Sequence, residues 1–129
     1  MRQGSWWGPL AQDPELRGKL GGLLSNPPYI PPTRLETLQA EVRDHEPAEA
    51  LDGREEDGGA DLREIVEGAA EMLAGGGFVA LETDGGEQAH AIARLLEGLR
   101  GSGGEAAFGH VAVRDDYSGV GRFVTAVRR

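Results

Sequence analysis

Four prolines within eight residues directly follow a short apolar run. The run is LGGLL, residues 20–24, and the segment after it is SNPPYIPP, residues 25–32. Proline fixes the backbone φ angle and has no N–H to donate, so a strand cannot continue through Pro27 and Pro28. The sequence therefore predicts a short buried strand that ends where this polar and aromatic segment begins.

The rest of the chain alternates between helix-like and strand-like spacing of apolar residues. Asp61 is the predicted N-cap of the clearest helix, Glu64 stands in the capping-box position, and the glycines at 75–77 are predicted to end that helix. The predicted elements after the first strand are helices 34–42 and 62–73, a strand 78–82, a helix 89–99, and strands 108–113 and 122–127. This order is typical of an α/β fold with a parallel section and an antiparallel hairpin at one edge.

Composition argues against several kinds of site. The 129 residues carry a net charge of −9, and they offer no cluster of Lys or Arg that could replace the counterions of a nucleic acid. The chain has no cysteine, and its three histidines lack the spacing of metal ligands, so no metal site is expected. No apolar run reaches the roughly 18 residues that a membrane span needs. Neither direct nucleic-acid contact nor a membrane span is therefore expected.

The SNPPY segment is a candidate binding site because of its position. In an open α/β sheet, ligands bind outside the carboxyl ends of the strands, and the first predicted strand reaches that edge here. Asn26 offers a side-chain carbonyl, and the carbonyls beside Pro27 and Pro28 have no N–H from these prolines as a neighbour. With the flat face of Tyr29, these acceptors suit an –NH2 group. The alternative is a proline-rich turn that only ends the strand.

Four stretches of the sequence resemble the glutamine-N5 methyltransferases that modify peptide-chain release factors. They are SNPPYIP, EVRDHEPAEALDG, LAGGGFVALET and DDYSGVGRFVTAVRR. The resemblance implies a Rossmann-like fold that depends on S-adenosylmethionine and ends in an antiparallel C-terminal hairpin. It also implies that residues 1–129 are a partial catalytic domain, truncated at the N-terminal side, in which the first, cofactor-binding strands are missing.

The resemblance also implies a reaction and a partner. A methyl group would pass from S-adenosylmethionine to the side-chain amide of the glutamine in the Gly-Gly-Gln loop of a release factor. In that family the motif asparagine and the carbonyl of the first motif proline accept the two amide hydrogens, and these roles fall on Asn26 and Pro27. The other substrate-binding residues that the resemblance implies are Pro28, Tyr29, Glu46 and Pro47.

Three residues are expected near the cofactor by the same resemblance: Ser5, Trp6 and Asn26. The segment MRQGSWWGPL resembles the end of the family's third strand and the residues after it, where relatives often have an acidic residue near the adenine. This chain has Ser5 at that place, and no glycine-rich cofactor turn precedes SNPPY. Trp6 and Trp7 are expected either to pack near the adenine or to form an exposed pair.

Other segments are predicted to be structural. VALETDGGEQAHAIARLL has the outline of a nucleotide loop but lacks the GxGxxG spacing, so Gly85 and Gly86 are predicted to form a turn. Asp116, Gly119 and Arg122 keep the spacing of the closing hairpin in the family that the chain resembles, and the resemblance implies a turn in which the arginine pairs with the aspartate. The segment GREEDGGAD is predicted to be a mobile polar loop. It expands the glycine-rich segment that follows ALDG in the family that the chain resembles, which puts any contact from this loop in doubt.

Two alternatives stay open for function. The same scaffold could methylate a glutamine in a ribosomal protein, or the chain could be a non-catalytic fragment or interaction module that retains only the substrate face. The isolated chain is expected to be inactive, and the complete protein is expected to be a monomer. The sequence leaves the compartment open between the cytoplasm and an organelle, either plastid or mitochondrion.

Overall fold

The computed structural model describes residues 3–35, 37 and 47–129. Four strands and two long helices make up most of it, together with two one-turn helices and two short 3₁₀ turns. The strands are β1 (Leu20–Ser25), β2 (Leu73–Glu82), β3 (Phe108–Asp115) and β4 (Gly121–Arg128), the helices are α1 (Gly8–Ala11), α2 (Pro32–Leu35), α3 (Ala60–Met72) and α4 (Gly86–Gly98), and the 3₁₀ turns are Pro14–Leu16 and Ala48–Ala50.

The four strands form one sheet in the order β1-β2-β4-β3. β1 runs parallel to β2, and its last residue, Ser25, lies opposite Leu81. β4 runs antiparallel to both β2 and β3, and Phe123 lies opposite Glu82. The predicted parallel section and terminal hairpin are therefore confirmed, and the carboxyl ends of β1 and β2 meet at one edge. The prediction that the first strand is buried is wrong, because every residue of β1 is partly or fully exposed at the edge of the sheet.

One face of the sheet packs against α3 and α4. Because side chains alternate along a strand, Val79 and Leu81 of β2 point into this core while Phe78 and Ala80 lie on the other face. The open face carries exposed apolar side chains: Leu24 is 80% exposed and Phe78 is 51% exposed. The core residues that are buried include Leu62, Ile65, Val66, Ala69, Leu73, Val79, Leu81, Ile92, Leu96, Val124 and Ala126.

The predicted capping of α3 is wrong. The helix begins at Ala60, and its N-cap is Gly59, which makes no side-chain capping hydrogen bond. Asp61 lies inside the first turn and is only 5% exposed, because its carboxylate accepts a hydrogen bond from the Trp6 indole and forms an ion pair with Arg54. These tertiary partners replace the local capping hydrogen bonds that the sequence pattern favours.

The predicted role of the three glycines after α3 is also wrong. The helix ends at Met72, and residues 75–77 lie within β2 rather than in a turn. The pairing of β1 with β2 shifts register between Leu20 and Gly22, and this irregularity accommodates the extra residues of β2.

The helix predicted for 34–42 is described only at its start, in α2, because residues 36 and 38–46 lie outside the described residues.

The tryptophans near the start of the described chain pack against α3, so the expectation of an exposed pair is wrong. Trp6 and Trp7 are partly buried against the core. The Trp7 indole N–H donates a 2.7 Å hydrogen bond to the carbonyl of Ile65.

Among the described residues, no helix is long and apolar enough to cross a membrane.

Candidate functional site

A cleft of about 330 Å³ lies at the carboxyl ends of β1 and β2. The end of β1 provides one wall, the end of β2 a second, and an aromatic side chain of β4 a third. Its lining residues are Leu24, Ser25, Asn26, Ala80, Leu81, Glu82 and Phe123. The volume is at the lower end of the range of small-molecule pockets, about 300 to 1,000 Å³, and suits a single side chain.

Asn26 is placed in this cleft by the end of β1. Ser25 is the last residue of β1 and pairs with Leu81, so the chain leaves the sheet at Asn26. Pro27, which follows, is buried, whereas Asn26 is exposed. The buried proline fixes the backbone beneath the motif, and the amide of Asn26 remains accessible at the sheet edge where parallel strands commonly bind ligands.

The hydroxyl of Tyr29 makes a hydrogen bond within the protein, and Tyr29 is not one of the residues that line this cleft. Its hydroxyl donates a 2.9 Å hydrogen bond to Oε1 of Glu82, and its ring packs against the core. Burial, followed by the hydrogen bond to Glu82 and the negative charge of that carboxylate, raises the pKa of Tyr29 to about 12. Glu82 lines the cleft beside Asn26. Tyr29 is therefore linked to the cleft by its hydrogen bond to this carboxylate.

The backbone after Tyr29 is held by two distant segments. The side-chain amide of Gln88, in the first turn of α4, donates 3.0 Å to the carbonyl of Tyr29 and 2.6 Å to the carbonyl of Asp57. Ile30 donates its N–H to the carbonyl of Leu51 at 3.0 Å. The NPPY segment is therefore attached to the start of α4 and to the ALDG segment.

Gly58 brings the polar loop GREEDGGAD into contact with the motif. Its φ is +66°, and a Cβ at this position would come within 2.1 Å of the Tyr29 carbonyl oxygen. The same loop supplies the Asp57 carbonyl that Gln88 binds. From the sequence, contacts from this loop were in doubt. In the structure, the loop lies against the backbone of the motif.

Ser5 and Trp6 lie in a different cavity. This second cavity, of about 610 Å³, is lined by Gly4, Ser5, Trp6, Pro28, Glu49, Arg54, Asp61 and Glu64. The Trp6 indole donates a 3.1 Å hydrogen bond to Asp61, and Arg54 pairs with both Asp61 and Glu64. Pro28 lines this cavity, whereas Asn26 lines the cleft at the strand ends.

The terminal hairpin forms the turn that the sequence predicts. Nε of Arg122 donates 3.1 Å to Asp116, whose carboxylate also accepts the N–H groups of Ser118 and Val120. These hydrogen bonds hold the pKa of Asp116 below its ordinary value, with the Val120 N–H as the largest cause and Arg122 next. Arg122 further donates to the carbonyls of Thr83 and Asp84 and so joins the hairpin to the end of β2.

The chain is similar to curated proteins that share one name. No protein-family model matches it. It is 40% identical over 124 residues to the release factor glutamine methyltransferase of Synechocystis sp., across 96% of this chain and 38% of that protein. It is 44% identical over 115 residues to the enzyme of the same name from Mycolicibacterium smegmatis, across 89% of this chain and 37% of that protein.

The chain matches one segment of the release factor glutamine methyltransferases. It spans about 38% of the length of the curated relatives that it matches. The four-stranded α/β sheet is part of the Rossmann-like methyltransferase fold that the sequence predicts.

Two further residues were predicted to bind the substrate, Glu46 and Pro47. Pro47 is exposed and directly precedes the 3₁₀ turn Ala48–Ala50, whereas Glu46 lies outside the described residues. Gly85 and Gly86 form the turn into α4, as predicted. Within the described residues, no group of three or more His, Asp or Glu side chains could hold a metal ion.

Ser5 and Trp6, two of the residues expected near a methyl donor, lie apart from Asn26. Asn26 lines the cleft at the strand ends, whereas Ser5 and Trp6 line the second cavity. The Trp6 N–H and the Asp61 carboxylate there already bind each other, and Arg54 is paired with two carboxylates.

Three residues that support the motif were not predicted from the sequence. Glu82 ends β2, Gln88 begins α4, and Gly58 lies in the polar loop. The rule that ligands bind at the carboxyl ends of strands would have drawn attention to Glu82, since it ends the strand beside the motif. No sequence pattern marks Gln88 or Gly58, because their contacts depend on how separate segments pack.

Proposed function

We propose that this chain carries the acceptor side of a protein glutamine-N5 methyltransferase. The acceptor is the glutamine in the Gly-Gly-Gln loop of a peptide-chain release factor, and the methyl donor is S-adenosylmethionine. One observation supports the proposal above others: Asn26 lies exposed in a side-chain-sized cleft at the carboxyl ends of two parallel strands. The names of the curated relatives support the same substrate class.

The chemistry of an amide explains why this cleft suits the reaction. An amide nitrogen is a poor nucleophile because its lone pair is delocalised into the carbonyl. The side-chain carbonyl of Asn26 and the backbone carbonyl of Pro27 would accept its two hydrogens and so fix its orientation. No strong base is required, since the proton can leave to water after the transfer, and S-adenosylmethionine would supply an electrophilic methyl group.

The donor side is a separate part of the proposal. That residues 1–129 form part of a catalytic domain lacking its first cofactor-binding strands remains a prediction, as do the donor contacts of Ser5, Trp6 and Asn26. The separation of these residues between two cavities favours a chain that binds the acceptor better than it binds the donor. A non-catalytic module with the same acceptor cleft is the second candidate for this reason.

A transfer assay with the full 129-residue chain tests the proposal. Labelled S-adenosylmethionine is incubated with a purified release factor, with the same factor carrying Ala in place of the Gly-Gly-Gln glutamine, and with ribosomal proteins. Label on the first acceptor alone supports the proposal. If the wild-type chain transfers label, we expect Asn26→Ala to lower transfer by about 100-fold, the scale of losing one positioned hydrogen-bonding group in an active site. Ser102→Ala, an exposed substitution in the loop before β3, is the matched control.

Calorimetric titration with S-adenosylmethionine separates the two candidates. Binding in the micromolar range together with transfer supports a complete enzyme. Absence of donor binding, combined with binding of a peptide that contains Gly-Gly-Gln, supports the non-catalytic module. Label on a ribosomal protein and not on the release factor would assign the chain to the other glutamine substrate.

A further inference from the structure

We propose that Glu82 and Gln88 are positioning residues that hold the Asn26–Pro27 turn through Tyr29. The turn itself would contact the substrate, and the two positioning residues would act on it only through the tyrosine. The consequence for methyl transfer rests on the function proposed above. The mechanical part, that these contacts fix Asn26, can be tested without any assumption about the reaction.

Tyr29 is held at both of its polar ends. Its hydroxyl donates to Glu82 of β2 at 2.9 Å, and its backbone carbonyl accepts from Gln88 of α4 at 3.0 Å. Gln88 is itself fixed, because its side-chain carbonyl accepts the N–H of Asp84 at 2.8 Å. The ring and the backbone of Tyr29 are therefore each attached to a different element of the core.

The segment between the sheet and Tyr29 has little freedom of its own. Ser25 is fixed by its pairing with Leu81, and only Asn26, Pro27 and Pro28 separate it from Tyr29. Both prolines have a fixed φ, so few backbone angles remain free between the two attachments. Holding Tyr29 therefore holds Asn26, and releasing Tyr29 frees one end of the turn.

Glu82 could also be read as a group that touches the substrate, since it lines the cleft with Asn26. The two readings predict different behaviour of Tyr29→Phe. If Glu82 acts through the tyrosine, removing either partner of the hydrogen bond has the same effect, and removing both adds nothing. If Glu82 contacts the substrate directly, only its own substitution affects the reaction.

Nuclear magnetic resonance of the full chain tests the mechanical part. Asn26 is the single asparagine of the sequence, so selective ¹⁵N-asparagine labelling reports its side-chain NH2 group without ambiguity. We expect one sharp pair of signals in the wild type, and broadened or doubled signals in both Tyr29→Phe and Glu82→Ala. Glu82→Gln keeps an acceptor for the tyrosine hydroxyl and is expected to restore the sharp pair. Unchanged signals in both Tyr29→Phe and Glu82→Ala would overturn the proposal.

Gln88 has its own variant and its own control. Gln88→Ala removes the donor to the Tyr29 carbonyl and is expected to broaden the Asn26 signals. Glu87→Ala alters the neighbouring residue of α4, which is exposed, and is expected to leave them sharp. Equal effects of the two variants would show that α4 acts on the turn only through general stability.

The transfer assay tests the catalytic part. Glu82→Ala, Tyr29→Phe and the double variant are each expected to lower kcat about 10- to 100-fold, the scale of a small misplacement, with KM little changed. Glu82→Gln is expected to recover most of the loss. A loss in Glu82→Ala without a loss in Tyr29→Phe would overturn the positioning role. If the wild type transfers no methyl group, the proposed function fails, and the resonance experiment still decides whether Asn26 is held.

Discussion

The indole of Trp7 lies directly over Gly68 of α3. A Cβ at Gly68 would come within 2.1 Å of Trp7 Cδ1, well inside any permitted contact. The indole N–H reaches the carbonyl of Ile65 at 2.7 Å, in the preceding turn of the same helix. The absence of a side chain at Gly68 thus allows the segment before β1 to pack closely against the helix.

Gly68→Ala is therefore expected to destabilise the protein. Helix propensity alone favours alanine over glycine by about 1 kcal/mol, but overpacking costs about 1 to 3 kcal/mol and involves a large ring with little room to move. We expect the free energy of unfolding to fall by about 1 kcal/mol, measured by urea denaturation. Gly98→Ala, at the end of α4, is the control, since a Cβ there meets nothing within 4 Å. A stabilised Gly68→Ala protein would contradict the packing.

The sequence predicted the sheet well because the relevant signals are local. Alternation along the strand that contains Val79 and Leu81 marks a face, and the prolines after Ser25 mark a strand end. The capping of α3 by Asp61 was predicted wrongly because a tryptophan and an arginine from other segments bind that carboxylate. A local sequence pattern cannot show that side chains from other segments will bind the carboxylate in the folded protein.

The candidate site also combines local features, which could be predicted from the sequence, with contacts between segments, which could not. The motif and its place at the strand edge could be read from the residues themselves. The carboxylate of Glu82, the amide of Gln88 and the backbone of Gly58 meet Tyr29 from three separate parts of the chain. Their roles depend on the packing of those parts, so these roles could not be predicted from the sequence, apart from the position of Glu82 at a strand end.

Gly58→Ala is expected to disturb the motif. The new Cβ would collide with the Tyr29 carbonyl oxygen, a backbone atom that cannot rotate away, in addition to the strain of a positive φ. Gly104→Ala is matched in strain, because Gly104 has φ +85° and open space around it. We expect Gly104→Ala to cost about 1 kcal/mol and Gly58→Ala at least about 1 kcal/mol more, by thermal unfolding. Equal losses would show that the loop yields to the added methyl group.

Asp116 is expected to stabilise the terminal hairpin in a pH-dependent way. Its folded-state pKa is lowered from 3.8 by the Val120 N–H and by Arg122, so its stabilising effect is present above about pH 4 and is lost as pH falls through the folded-state pKa. The difference in Tm between the wild type and Asp116→Ala should therefore shrink as pH is lowered below 4. Asp115→Ala, a neighbouring exposed aspartate, should show a smaller difference at neutral pH. A Tm difference that stays constant down to pH 2 would contradict a role for the charge.

Tyr29 is expected to contribute stability that is lost at high pH. Its pKa rises from 10.0 to about 12 in the folded protein, where burial and the Glu82 carboxylate both disfavour the ionised phenol. The unfolded chain releases this proton first, so the contribution is complete below about pH 10 and declines as pH rises towards 12. The difference in unfolding free energy between the wild type and Tyr29→Phe should therefore fall between pH 10 and pH 12 in urea titrations.

The control for Tyr29 is the other tyrosine of the chain. Tyr117 is fully exposed in the hairpin turn, so Tyr117→Phe removes a phenol of the same kind without removing a contact with the core. Its unfolding curves should follow those of the wild type at every pH. Glu82→Gln keeps the hydrogen bond but removes the neighbouring negative charge, so it should flatten the decline seen in the wild type. A decline that is the same in Glu82→Gln as in the wild type would show that the charge of Glu82 does not contribute to the raised pKa of Tyr29.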